Sequence, residues 1–295
     1  MNAAERLEAA SKFLLQSPPG EINDVLNDVR NIISDDESLQ EGVLPALREY
    51  NLAQFITADV PGHNHHSIIS AAARVVKADQ EEGENIDRFW DPRSRTSFRF
   101  DHLSLETSEP EPYEPDAESE PFRSALETST LSYLGAHYHG GVASVFPAPQ
   151  STTRFFIQIV ANKYNPSNFW SGRWRSEYIL DLEEKQLKGK IQVNVHYYEQ
   201  GNVQLSTTHD ADLPLPPMIT PSNTSSASKV LALIEAEEGK YQASLSDAYA
   251  EMGEKTFKGL RRALPMTRSK LDWDKVLGYK LGAELTSGRG GFGAS

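Results

Sequence analysis

The sequence contains no cysteine among its 295 residues. That single absence excludes disulfides, thiol nucleophiles and cysteine-bound zinc, and it fits a reducing compartment. No stretch approaches the ~20 apolar residues that a membrane-spanning helix needs. The opening MNAAERLEAASKFLL alternates in charge and has no apolar run of signal-peptide length, so the chain reads as soluble and intracellular. Basic residues are in deficit: 29 Lys and Arg stand against 42 Asp and Glu, a formal charge of −13. Such a surface repels nucleic acid and anionic membrane as a whole, and an anionic partner would need a local basic patch.

Catalytic signatures are also missing. There is no Gly-x-Ser-x-Gly, and the glycines near the C-terminus follow no strand pattern, open no helix and lack the Gly-Lys-Ser/Thr ending of a phosphate loop. His63, His65 and His66 cluster beside Pro61-Gly62, but no Asp, Glu or Cys stands beside them at ligand spacing, and they read as loop histidines rather than a metal site. His137 and His139 are two apart and cannot share a helical face. The expectation is a protein that is not an enzyme and holds no metal or cofactor.

Apolar residues are 38% of the chain, enough for the core of one large domain or two small ones. Residues 1–50 read as three short helices. Leu7, Ala10 and Leu14 share a face, and Pro18-Pro19-Gly20 ends that element. Ile22, Val25, Leu26, Val29, Ile32 and Ile33 then recur at helical spacing. Ser34-Asp35-Asp36 breaks the pattern and suits the cap of a third helix carrying Leu39, Val43, Leu44 and Leu47. Short links between three helices suggest a small antiparallel bundle. Residues 56–123 are the least legible. Segment 106–120 holds seven carboxylates, three prolines and no Lys or Arg, and is expected as a solvated acidic loop, with an acidic docking site as the rival reading.

Period-two alternation takes over at 141–209. Ile191, Val193, Val195 and Tyr197 face one way on a strand, Glu199–Asn202 turns, and Val203 and Leu205 begin the return. Arg154 to Ala161 and Trp174 to Leu182 read as two further strands. Successive strands on short turns predict an antiparallel meander with one face in need of a cover. After a Pro/Ser/Thr-rich break at 214–228, Ala227, Leu231, Ile234, Tyr241, Leu245, Ala248 and Met252 form a narrow helical stripe. It suits a helix lying across the sheet, with a coiled-coil partner as the alternative. Asn168–Ser176 (NFWSGRWRS) packs two tryptophans and two arginines together, residue types shared by interface hot spots and by sheet-edge packing, and both readings stay open.

The tail departs from the rest in charge. From Lys255 to Leu281 it carries a net +6 inside a chain of −13, and Trp273, Val276, Leu277 and Leu281 form an apolar stripe on a basic helical pattern. That pattern suits an acidic protein groove or an anionic membrane surface, or else packing on the protein's own body.

Five blocks resemble the α subunits of heterodimeric actin-capping protein, in the family's order and spacing over about residues 5–285. They are Pro18–Arg30 (PPGEINDVLNDVR), Asp91-Pro92-Arg93 through Ser97–His102 (SFRFDH), the Trp-rich Asn168–Ser176, Lys190–Leu205, and Phe257–Trp273 (FKGLRRALPMTRSKLDW). The resemblance implies an α+β fold. A helical stalk occupies 1–55, an irregular globule with the acidic loop 56–140, and a five-stranded antiparallel meander 141–212. A long helix follows at 213–256, an actin-binding tail at 257–285, and a disordered end at 286–295.

It further implies an obligate heterodimer with a β subunit of similar fold, the two sheets joining edge to edge. That dimer would bind the barbed end of actin filaments in the cytoplasmic and cortical-patch actin cytoskeleton. It would block subunit addition and loss sterically, without calcium, nucleotide or cofactor. Lys258, Arg261 and Arg262 match the family's basic actin-binding residues, Arg268 and Lys270 extend the patch, and Trp273, Val276, Leu277 and Leu281 match its apolar face. Lys258 and Arg262 also match the residues through which phosphoinositide lipids inhibit, and protein regulators of capping are expected to bind elsewhere. Trp170, Arg173, Trp174, Arg175, His196 and Tyr198 are the candidate contacts to the β subunit. Two loops, 61–69 and 106–120, match the family only loosely, Gly259 stands where a helix former is expected, and the glycine-rich end beyond Leu285 is additional. A peripheral lipid-binding module and a His63/His65/His66 metallohydrolase are the rival functions.

Overall fold

The computed structural model describes residues 3–33, 36–75, 86–199, 202–221 and 223–252. The chain divides into two units, Met1–Tyr241 and Gln242–Ser295.

The first unit begins with the three expected helices, α1 (Ala3–Leu15), α2 (Ile22–Ile33) and α3 (Asp36–Ala53). Their apolar stripes meet in one core of Ala10, Leu14, Ile22, Leu26, Val29, Val43, Leu47 and Tyr50. The α1–α2 turn is held from α3: the Tyr50 hydroxyl donates to the carbonyls of Ser17 (3.3 Å) and Pro18 (3.2 Å). Gly20 in that turn has φ +83°, and a Cβ there would meet the Tyr164 ring at 3.2 Å. Glycine satisfies both demands, left-handed backbone and close approach.

Residues 56–140 are more regular than the sequence suggests. A two-stranded antiparallel sheet, β1 (Ile56–Asp59) with β2 (His66–Ile69), precedes a three-stranded one of β3 (Ile86–Asp91), β4 (Thr96–Asp101) and β5 (Thr107–Pro112). Phe89, Trp90, Phe98, Phe100 and Phe146 fill the core beneath them. The acidic stretch is therefore not wholly a loop, because its first part is strand β5. Arginines on β3 and β4 offset its charge: Arg88 reaches Glu111 (3.1 Å) and Glu109 (3.5 Å), and Arg99 reaches Glu109 (3.4 Å). Pro110 and Pro112 are tolerated because β5 is an edge strand. Helix α4 (Glu120–His137) follows, an element with no clear apolar period. Its buried stripe includes Arg123, Glu127 and Thr130, and Arg123 holds Glu120 (2.6 Å) and Glu127 (3.0 Å).

The centre is a five-stranded antiparallel meander of β6 (Val142–Pro147), β7 (Arg154–Asn165), β8 (Trp170–Asp181), β9 (Gln186–Tyr197) and β10 (Val203–Pro214), in spatial order β10-β9-β8-β7-β6. The strands outrun the expected limits: β7 continues to Asn165 and β8 begins at Trp170, so Asn168–Ser176 is a turn plus half a strand. The two edges differ. β6 is buried at Ala143–Phe146 and packs on α4 and β2. β10 is bonded on one side to β9, and of its residues only Ala211 is buried.

Long helix α5 (Ser226–Glu251) covers one sheet face through Ala227, Val230, Leu231, Ile234 and Tyr241, beside α4. Its polar anchor is Glu238, fully buried. The Glu238 carboxyl accepts from the hydroxyls of Tyr133 on α4 (2.7 Å), Tyr178 on β8 (3.2 Å) and Tyr138. The stalk and the small sheets lie on the opposite face, where Ser70 donates to Gln158 (2.7 Å) and Gln158 to Glu177 (2.6 Å). In the second unit, Gln242–Met252 is exposed except at the partly covered Leu245.

Candidate interaction surfaces

The tail residues Lys258, Arg261, Arg262, Arg268, Lys270, Trp273, Val276, Leu277 and Leu281 lie outside the described residues. The other candidates fall on β8 and β9, and strand alternation sorts them. Arg173 and Arg175 point toward the stalk and Trp174 toward α5.

Both arginines are spent inside the chain. Arg173, 5% exposed, donates to Asn162 Oδ1 (2.8 Å), the Tyr164 hydroxyl (2.5 Å) and the carbonyl of Gln54 (3.4 Å). Arg175, 3% exposed, donates to the carbonyl of Ala53 (3.0 Å) and to Asn194 Oδ1 (2.5 Å). Ala53 and Gln54 close α3, so these guanidinium groups supply donors to helix-end carbonyls that lack an intrahelical partner. His196, 7% exposed, is neither solvated nor on the outer surface. Its Nδ1 meets Glu21 Oε1 at 2.8 Å and its Nε2 meets Asn202 Oδ1 at 3.2 Å. Glu21 also accepts from Ser171 (3.2 Å), which ties the α1–α2 turn to β8 and β9.

Trp174 is half-buried between Tyr138 and Tyr241. Trp170 is half-buried with the Lys163 ammonium 5.6 Å from its ring centroid. Tyr198 stacks near His196 and meets Phe169 edge-on at 5.8 Å. Phe169 (43% exposed), Tyr164 (41%) and Val203 (63%) are open to solvent, and of these Tyr164 belonged to no sequence pattern. Among the described residues the outer edge of β10 pairs with no strand, an edge of the kind through which the resemblance joins the two sheets.

The histidine cluster meets separate carboxylates, with the His63 ring 5.9 Å from that of His65. His65 meets Asp91 (2.8 Å) and His66 meets Asp59 (2.5 Å). Among the described residues no three His, Cys, Asp or Glu side chains stand together as a metal site would require, and no helix is long and apolar enough to cross a membrane.

An α+β chain with a helical stalk, a five-strand meander and a covering helix can now be compared with known proteins. The sequence model of the family described as F-actin capping protein alpha subunit matches residues 10–284. The chain belongs to that family. Among curated F-actin-capping protein alpha subunits, the one from Emericella nidulans is 35% identical over 97% of this chain and 99% of its own. That from Chaetomium thermophilum is 37% identical over 94% and 95%, and that from Caenorhabditis elegans 34% over 96% and 98%. A solved structure described as a homodimeric actin capping protein alpha subunit from Plasmodium berghei superposes with a TM-score of 0.70 at 19% identity. It covers 91% of this chain and all of that one, and shares its fold. The family is one of actin-capping subunits, which agrees with the α+β architecture and with an actin-binding, cytoskeletal role.

Proposed function

We propose that this chain is the α half of a calcium- and nucleotide-independent capping heterodimer on the cytoplasmic actin cytoskeleton, including cortical patches. The open β10 edge carries the reading. A β subunit of similar fold adds along it, and Trp170, Tyr198, Phe169 and Val203 are the side chains on hand to meet that partner. The dimer sits on the barbed end and stops subunit addition and loss by covering the surface where the next subunit would dock.

The basic tail makes first contact. Lys258, Arg261, Arg262, Arg268 and Lys270 speed encounter with an acidic filament end, and Trp273, Val276, Leu277 and Leu281 lie on it. Phosphoinositide headgroups compete for Lys258 and Arg262. The family match extends through this segment, which supports assigning the tail a family role.

The test is elongation of labelled actin from barbed-end seeds, with the chain co-expressed with a capping-protein β subunit. Full-length dimer is expected to stop growth far below actin's own concentration, and a version ending before Phe257 to be much weaker. Equal capping by both would remove the tail from the mechanism. A folded dimer that leaves growth unchanged would overturn the capping reading, and a purified species containing two copies of this chain alone would overturn the β pairing.

A further inference from the structure

Arg173 and Arg175 form a pair of buried cations with no carboxylate in direct contact among the described residues. Every acceptor they use is neutral: two amide oxygens, one phenol and two backbone carbonyls. The carbonyls end α3, and a helix C-terminus is worth about half a negative charge. Half a charge against two leaves both guanidinium groups without a directly bonded counter-charge. Glu21 and Glu177 lie on the same face, but their carboxylates bond Ser171, His196 and Gln158 rather than either arginine. Among the described residues neither arginine has a carboxylate within ion-pair distance. Buried charges are ordinarily paired, because desolvation is otherwise uncompensated. The strain registers on Arg175, where burial, and then the charge of Arg173, pull the guanidinium down to about 10.

Two further observations point to a ligand. Arg175 Nε is buried and has no hydrogen-bond partner. Arg175 also lines a groove of about 370 Å³ between the α1–α2 turn and the sheet. Gln16, Gln192, Ser206 and Thr208 offer neutral donors along its wall beside apolar residues such as Leu15 and Pro18, while the amides of Asn194 and Gln204 already donate to Ser206 and Asn202. A fixed cation in a ring of amides and hydroxyls suits a compact multivalent oxyanion.

We propose that this groove is an oxyanion site of the phosphate class, with Arg175 as its cation. Occupancy places a negative charge directly on Arg175 at the joint between stalk and sheet and tightens that joint.

The test reads thermal unfolding of the full chain, purified with its co-expressed partner, in inorganic phosphate against chloride at equal ionic strength and pH. The readout does not involve filament ends, so it stands apart from the capping proposal. Phosphate at ten times its Kd is expected to raise Tm by about 1 °C, with the rise growing as the logarithm of phosphate concentration above Kd. Arg175→Gln is expected to abolish the rise. Gln192 lies directly across from Arg175 in the β8–β9 register, so Gln192→Glu supplies an internal carboxylate. That variant is expected to raise Tm in chloride and to remove the phosphate response, and it decides the matter if Arg175→Gln does not fold. Equal Tm in phosphate and chloride for the parent would overturn the site, as would a response surviving in Gln192→Glu. A response lost instead in Arg261→Ala/Arg262→Ala, with the groove intact, would assign the phosphate to the basic tail and equally overturn it.

Discussion

Asp87 shows how much a single residue can hold. It is 4% exposed on β3 and lies between Arg48 of α3 (2.6 and 3.1 Å), Arg74 (3.1 Å) and His102 (3.2 Å). Burial alone would push its carboxyl up. The bonds from His102 and Arg48, with the charges of Arg48 and Arg74, outweigh that and hold it at about 2. A carboxylate lowered on folding stabilises at neutral pH and loses that contribution as pH falls. Here the loss runs from about pH 4, where the unfolded chain takes up the proton, to about pH 2, and amounts to about 2 kcal/mol. Asp87→Ala is expected to lower Tm by several degrees at pH 7 and to flatten the acid limb of the stability–pH curve, read by urea titration across pH 2–7. None of this was legible in the sequence, because the partners are 39 and 15 residues away from Asp87. The NFWSGRWRS run is the converse case. Its residue types marked it, but the choice between partner contact and packing depended on which side of β8 each residue faces and on where α3 ends.

Among elements, those with strict period were readable and those with charged stripes were not. α2 and the β9–β10 hairpin declared themselves through apolar spacing. α4 did not, because Arg123 and Glu127 occupy core-facing positions and neutralise each other there, which no apolar count detects. β5 looked like solvated chain because the arginines that offset its glutamates sit on other strands. α5 was legible as a helix, but its anchor was not. Glu238 gathers three phenols from three elements, and burial together with the Glu238 charge pushes Tyr133, Tyr138 and Tyr178 above the ordinary tyrosine range. Phenols raised on folding stabilise fully below about pH 10, and the contribution erodes above it as the unfolded chain's tyrosines ionise. Tyr138→Phe is expected to cost about 1 kcal/mol. Glu238→Ala, which removes the acceptor shared by three phenol hydroxyls, is expected to cost about 3 kcal/mol and to raise hydrogen exchange between Val230 and Tyr241. Unchanged protection there would show that apolar packing alone holds α5.

At the scale of the whole molecule, charge is distributed against itself: a net −13 chain carries its positive excess in one terminal segment. If that segment makes the first contact with filament ends, the capping on-rate should fall severalfold between about 0.05 and about 0.2 M ionic strength while the off-rate changes little. Single-filament microscopy separates the two rates, and a salt-insensitive on-rate would rule out electrostatic capture. The sheet has a directional asymmetry of its own. Among the described residues β6 is covered by α4 and β2 while the outer edge of β10 pairs with no strand, and in the proposed dimer a second chain of the same plan meets it with one such edge of its own. Joined, they leave none. Assembly by the proposed route would end at two members and could not propagate into a fibre, a stopping rule set by which strand comes last.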